Sequence, residues 1–246
     1  MLFFFRVIFT ALWVAFSCII GIIVGILRPF DSRNTKISAN LIALGRYILG
    51  VEIELRNQEI LEPARPCVFI SNHQDNLDIF PGGFTLPKET VTIGKKSILY
   101  IPFFGLYFWL SGNILIDRKN KKKAYEAMDE AAKAITEKKV SVWIMPEGTR
   151  SRGRGLLPFK KGPFITAIKA QVPIVPIAIS SYPKHLKYDY WHAGKIIVEV
   201  LPPISTIGKT NDDINEIRTQ AFELMKESID KLDQEIANGI KTGNPQ

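Results

Sequence analysis

The chain opens on its longest apolar run. From Val7 to Leu27 no charged side chain interrupts 21 residues, and Arg6 and Arg28 bracket them. Wound as a helix, the run is about 30 Å long, enough to cross a hydrocarbon core. After a turn at Arg28-Pro29-Phe30-Asp31, a second helical period extends from about Thr35 to Gly50. It places Ile37, Leu41, Leu44 and Ile48 on one stripe and Lys36 and Arg46 on the polar side. Two such helices form either one span plus an interfacial helix or a hairpin that enters one leaflet and returns. A cleaved signal peptide is the rival reading, but the run is longer than the usual apolar region and no small-residue cleavage site leads into polar chain.

Beyond Gly50 the pattern changes to short β-rich runs alternating with helical periods. Val51–Leu55, Cys67–Ser71, Val91–Gly94, Ile114–Asp117, Val140–Met145, Ile174–Ser180 and Ile196–Leu201 read as strands, and several are continuously apolar, as in strands buried on both faces. Helices are predicted at about 97–111, 121–138, 162–170 and 213–237. The expected architecture is α/β, a central, mostly buried mixed sheet flanked by helices and preceded by a two-helix membrane segment. The expected divisions are 1–50 for the membrane helices, 51–240 for the catalytic domain and 241–246 for a loose tail.

At 246 residues and 46% hydrophobic content, the chain can bury one good core. Cys18 and Cys67 lie far apart in dissimilar apolar surroundings, which suggests neither a disulfide framework nor a metal knuckle. The net charge of +8 is localised: five cations occupy the six positions 118–123, and Arg150, Arg152, Arg154, Lys160 and Lys161 share a stretch with no acid. By contrast, 211–236 carries eight acids against three bases. The basic middle suits an anionic lipid surface, a phosphorylated substrate or nucleic acid, or is a solvated face. The excess of cations from Arg28 through Arg46 places that side of a membrane in the cytoplasm, although Arg6 weakens the rule.

Several chemistries lack their usual residues. The sequence holds no G-x-S-x-G elbow, Walker loop, H-E-x-x-H or paired CxxC, and Gly153-Arg154-Gly155 is not a dinucleotide fingerprint. Four local constellations remain. His73 and Asp78 lie five positions apart just after a strand, where a carboxylate can fix the imidazole tautomer and leave its other nitrogen to take a proton. The same pair could be structural. With Asp75 it could hold a metal, but one histidine on a short loop makes a poor cage. Gly112 to Arg118 reads as a buried strand delivering an arginine whose planar fork matches a phosphate, or as an ordinary polar strand end. In Met145-Pro146-Glu147-Gly148-Thr149-Arg150-Ser151, Pro146 ends a strand, Gly148 permits a tight turn, and Glu147 and Arg150 set opposite charges on one rim. Val172-Pro173-Ile174-Val175-Pro176 reads as an apolar wall.

In this order and spacing, the four blocks resemble the glycerolipid acyltransferase family with its H-x-x-x-x-D motif, and most closely its bacterial branch that acylates 1-acylglycerol-3-phosphate to phosphatidic acid. The likeness includes the N-terminal helices, Gly94-Lys95-Lys96-Ser97, Ile101-Pro102-Phe103-Phe104-Gly105 and Gly148 through Gly155. Met145 stands where that family commonly has Phe, a change that the apolar side tolerates. The resemblance implies a glycerol-3-phosphate acyltransferase-like fold, with His73 and Asp78 as catalytic dyad and direct transfer without an acyl-enzyme. Arg118, Arg150 and Thr149 would sit at the acceptor's phosphate, and Glu147 would hold its glycerol. The backbone around Gly148, with Lys95 or Lys96, would stabilise the oxyanion, and Phe104, Leu106 and Trp109 are guessed as acyl-chain lining. It further implies acyl-CoA or acyl carrier protein as co-substrate, no other cofactor, no metal, no nucleic acid, and a bacterial inner membrane with the catalytic domain on its cytoplasmic face. A glycerol-3-phosphate or other lyso-lipid acyltransferase, a thioester hydrolase and a membrane-tethered lipid-binding module are the alternatives.

Overall fold

The computed structural model describes residues 1–118 and 120–241, so Lys119 of the basic run and the tail residues 242–246 lie outside the described residues. Among the described residues, seven strands form one sheet: β1 (Val51–Arg56), β2 (Val68–Ser71), β3 (Thr90–Lys95), β4 (Ile114–Ile116), β5 (Ser141–Ile144), β6 (Ile174–Ile179) and β7 (Gly194–Val200). Their spatial order is β1-β7-β6-β2-β5-β3-β4, and every pairing is parallel except β6 with β7. β2, β5 and β6 are buried at every position, as continuous apolar runs at the centre of a covered sheet require.

The two-residue period of the strands sorts their side chains into two cores. Val68, Ile70, Val142 and Ile144 face α5 (Lys121–Lys138), α6 (Gly162–Ala170) and α7 (Ile214–Lys241). Phe69, Trp143, Val175 and Ile177 face the opposite way, toward α1 (Leu2–Leu27), α2 (Arg33–Leu49), α3 (Ile79–Thr85) and α4 (Phe104–Leu110). The chain leaves β2 into α3 on one face and leaves its neighbour β5 into α6 on the other. A crevice must therefore open between the carboxyl ends of β2 and β5, the place where open α/β sheets hold their ligands.

Three elements differ from expectation. The predicted helix 97–111 is broken into a 3₁₀ turn, Lys96–Tyr100, and α4. Pro102 holds Ile101 extended, and Phe103 takes φ +60°, so no helix continues through them. The helix α3 had no prediction, because Pro81, Gly82 and Gly83 are weak helix formers; it is held by packing, with Gly83 so close to α2 that an added Cβ would lie 2.7 Å from the Ala39 carbonyl oxygen. On α2 the buried side is not the apolar stripe but Asn34, Thr35, Ser38, Ala39, Ile42, Ala43, Gly45 and Leu49, while Leu44 is exposed.

The same inversion governs α1, which buries Arg6, Thr10, Ser17, Cys18, Gly21 and Gly25 and exposes Phe4, Phe9, Leu12, Phe16, Ile23 and Leu27. Small residues allow close helix approach: a Cβ on Gly21 would sit 2.6 Å from the Tyr107 ring, and one on Gly25 would sit 2.7 Å from Leu110. At the other end the Arg6 guanidinium donates to the carbonyls of Tyr188 (2.9 Å), Tyr190 (2.5 Å) and Trp191 (2.6 Å). Helix α1 therefore lies along the domain, tied at both ends. It is long and apolar enough to cross a membrane by length and composition.

Candidate active site

Strand register sets the site. Ile70 of β2 pairs with Ile144 of β5, so His73 and Glu147, each three residues further on, emerge level at the crevice. β3 ends in the same row, where Lys95 pairs with Ile116 of β4, and Arg118 follows two residues later. Residues separated by up to 74 positions in sequence thus share one edge because parallel strands all finish there.

His73 Nδ1 lies 2.6 Å from Asp78 Oδ2. That oxygen also accepts from the backbone N–H groups of Gln74 (2.7 Å) and Asp75 (3.1 Å), while Oδ1 accepts from the Tyr182 hydroxyl at 2.6 Å. Asp78 is 2% exposed, and burial alone would disfavour its charge. Three donors besides the imidazole supply what water would have supplied, so the carboxylate form is the one this pocket fits. An ionised acceptor requires the proton on His73 Nδ1, which leaves Nε2 as the basic nitrogen. Burial and the neighbouring Asp78 charge push the Tyr182 hydroxyl far above its ordinary range, so it stays a donor.

The loop carrying His73 is held on all sides. Asn72 closes a two-bond amide bridge to Ile179 at the end of β6 (2.8 and 2.9 Å), Gln74 donates to the Ser180 carbonyl (2.9 Å), and Ser151 N–H donates to the His73 carbonyl (2.7 Å). The sequence assigns no individual role to Asn72, Gln74, Ser151 or Tyr182. Their only signal there was polar character at strand ends.

Glu147 occupies a different place from the acceptor-binding one expected of it. Its Oε1 accepts from His73 N–H at 2.6 Å and its Oε2 from Leu157 N–H at 3.0 Å, and the residue is 2% exposed. It joins the loops that follow β2 and β5, and no face of the carboxylate is open to a glycerol. Burial pushes its pKa up to about 7, against the two N–H donors, which pull it down.

The Gly148 N–H donates to the Met145 carbonyl (3.1 Å), and the Gly148 carbonyl accepts from Arg118. The requirement for glycine is steric: φ is +68°, and a Cβ would lie 2.9 Å from Lys160 Cε. Desolvation and the nearby Arg150 both lower the pKa of Arg118, which marks the two guanidinium groups as neighbours beside the crevice. Thr149 and Arg150 are exposed on the same loop, and Lys95 and Lys96 are exposed at the end of β3. Beside Gly148 opens a cavity of about 310 Å³, with Ile93, Ile116 and Ile144 in its wall and Arg118 and Lys160 also lining it. Of the residues guessed as acyl-chain lining, Leu106 and Trp109 instead point outward, and Phe104 packs on Tyr107 and Phe108.

An imidazole–carboxylate pair at a sheet switch point, with arginines beside it, is a site able to take a proton from a hydroxyl bound next to an anionic group. A family model described as acyltransferase matches residues 52–180, slightly more than half of the 246 residues. The chain belongs to the acyltransferase family. It is similar to the 1-acyl-sn-glycerol-3-phosphate acyltransferase of Haemophilus influenzae, 39% identical over 222 residues that cover 90% of this chain and 92% of that one. The protein of the same name from Escherichia coli is 38% identical over 243 residues, 99% of each chain. The crystal structure of the 1-acyl-sn-glycerophosphate acyltransferase of Thermotoga maritima superposes with a TM-score of 0.68 over 94% of both chains at 20% identity, which shows a common fold.

Proposed function

We propose that this chain transfers a fatty acyl group from acyl-CoA or acyl carrier protein to the sn-2 hydroxyl of 1-acylglycerol-3-phosphate, giving phosphatidic acid for phospholipid synthesis. The observation that carries the reading is the His73–Asp78 pair at 2.6 Å in the crevice beside Arg118 and Arg150. His73 Nε2 takes the hydroxyl proton as the acceptor oxygen attacks the thioester carbonyl, forming the C–O bond and a tetrahedral oxyanion. Collapse breaks the C–S bond, and the imidazolium returns the proton to the departing thiolate. Asp78, held by its donors, stabilises the imidazolium between the two steps. A thioester is already an activated acyl donor, so the reaction needs no cofactor or metal.

The cationic row of Lys95, Lys96, Arg118 and Arg150 supplies the field for the acceptor's phosphate and for the oxyanion, and Thr149 adds a hydroxyl at the same rim. The cavity beside Gly148 takes part of an acyl chain. The acceptor resides in a bilayer, and the inside-out α1 and the apolar outer stripe of α2 hold the crevice at headgroup level, in the cytoplasmic leaflet of a bacterial inner membrane. The surrounding cations strengthen attachment to anionic lipid or guide an acidic carrier protein. An assay with 1-acylglycerol-3-phosphate and a panel of acyl donors tests this, run beside His73→Ala. Loss of transfer with retained fold and vesicle binding is expected. Near wild-type turnover by the variant would remove the dyad, and equal thioester cleavage with and without acceptor would make the protein a hydrolase.

A further inference from the structure

Residues 98–109 carry more exposed apolar surface than any role in the crevice explains. Tyr100 is 83% exposed, Ile101 50%, Phe103 51%, Leu106 47% and Trp109 45%. We propose that this crest, running from the end of β3 into α4, is a second membrane-inserting element that dips into the acyl region of an anionic phospholipid leaflet beside α1. The proposal rests on the membrane reading of α1.

Three observations favour a bilayer as occupant. The crest adjoins the carboxyl end of α1: Phe30, at the exposed turn after α1, packs edge-on against Trp109 at 5.0 Å between ring centroids, and Gly25, on the buried side of α1, abuts Leu110. The charge along its own segment has one sign. Lys95 and Lys96 stand at its base, and no Asp or Glu occurs from Thr90 to Ile116. A crest of this kind presents apolar tips to acyl chains and ammonium groups to phosphates one level above. Finally, the crest is built rather than loose. A Cβ on Gly105 would lie 2.5 Å from the Leu99 carbonyl oxygen and 2.6 Å from that of Ile98, and Phe103 holds φ +60°, so the turn is folded tightly on itself with its large side chains outside.

Insertion would set the depth of the crevice. Lys95 and Lys96 sit at the same strand end as the candidate phosphate site, so lowering the crest into the acyl region brings that row to the headgroup plane. Helix α1 alone leaves the domain free to roll about the helix axis; a second contact prevents the roll.

The test uses the full chain reconstituted in phosphatidylethanolamine and phosphatidylglycerol vesicles, with an environment-sensitive NBD label at Tyr100→Cys. Labels at Phe9→Cys on α1 and Glu227→Cys on the exposed side of α7 are the references, and the native Cys18 and Cys67 are buried. The Tyr100 label is expected to shift to the blue and to lose emission with acyl-brominated lipid as the Phe9 label does, while the Glu227 label stays accessible to aqueous iodide. Lipid quenching at Phe9 with iodide quenching at Tyr100 overturns the crest and leaves α1 in the membrane. Iodide quenching at both positions overturns the membrane reading as well. A blue shift at Tyr100 that grows with protein density and is not quenched by brominated lipid identifies a second protein chain as the partner and overturns the proposal.

Discussion

Replacing Tyr182 by phenylalanine deletes one oxygen from a side chain that is fully buried. Shape and packing are kept, so the change isolates the 2.6 Å bond to Asp78 Oδ1. A neutral hydroxyl bonded to an ionised acceptor contributes about 1.5–3 kcal/mol, and the partner left behind is a buried carboxylate oxygen that water does not reach. Urea denaturation should show a stability loss of that size. The effect on turnover should be smaller, no more than about tenfold in kcat, because the bond is present before and during the reaction and so contributes to both states alike. Direction is the more telling readout. With one donor fewer, negative charge concentrates on Oδ2, the imidazolium becomes easier to form, and the acid limb of kcat/KM moves to higher pH. A merely structural tyrosine would lower stability and leave the limb in place. An unmoved acid limb, whatever the urea midpoint, would refute the reasoning that Asp78 is tuned through Tyr182.

Glu147→Gln sets an amide N–H₂ against one of the two backbone N–H groups the carboxylate now accepts from, which should cost about 1–3 kcal/mol in urea melts at pH 5. Because the folded carboxyl titrates at about 7, above its ordinary 4.5, the wild-type fold binds the extra proton between those values and loses stability as pH rises through them. The gap between wild type and variant should therefore narrow at pH 8, and a constant gap would show that Glu147 is ionised throughout. Gly148→Ala forces an L side chain into φ +68° against Lys160, a strain of about 1–2 kcal/mol. Unaltered stability and acceptor KM would mean that the loop adapts. Arg150→Ala should weaken use of 1-acylglycerol-3-phosphate by about ten- to a hundredfold, the equivalent of one lost charged hydrogen bond. Equal losses on 1-acylglycerol would deny Arg150 the phosphate.

Much of this molecule is local and therefore legible in one dimension. Among the described residues the seven strands are apolar runs or, as in β1, an apolar–charged alternation, and their positions follow from that pattern to within a residue or two. His73 and Asp78 are five residues apart on one loop, so their meeting is a short-range event. The helix period of 97–111 misleads because periodicity is blind to what Pro102 does to the residue before it. The stripe on α2 is correctly periodic, but its facing cannot be read from period alone: here the small and polar residues turn in and part of the apolar stripe, Leu44, turns out.

Composition and order of residues by themselves determined the α/β class, the apolar N-terminus, the basic middle and the dyad. Tertiary structure alone decided what each polar group at the strand ends does, because those groups meet across strand register and not along the chain. Glu147 reads as a rim carboxylate in sequence, yet burial and two backbone N–H donors make it the clasp between two loops. Tyr182 is one tyrosine among seven until the end of β6 brings it 104 positions back to Asp78. A hydrogen bond depends on distance in space, and only the folded sheet sets that distance.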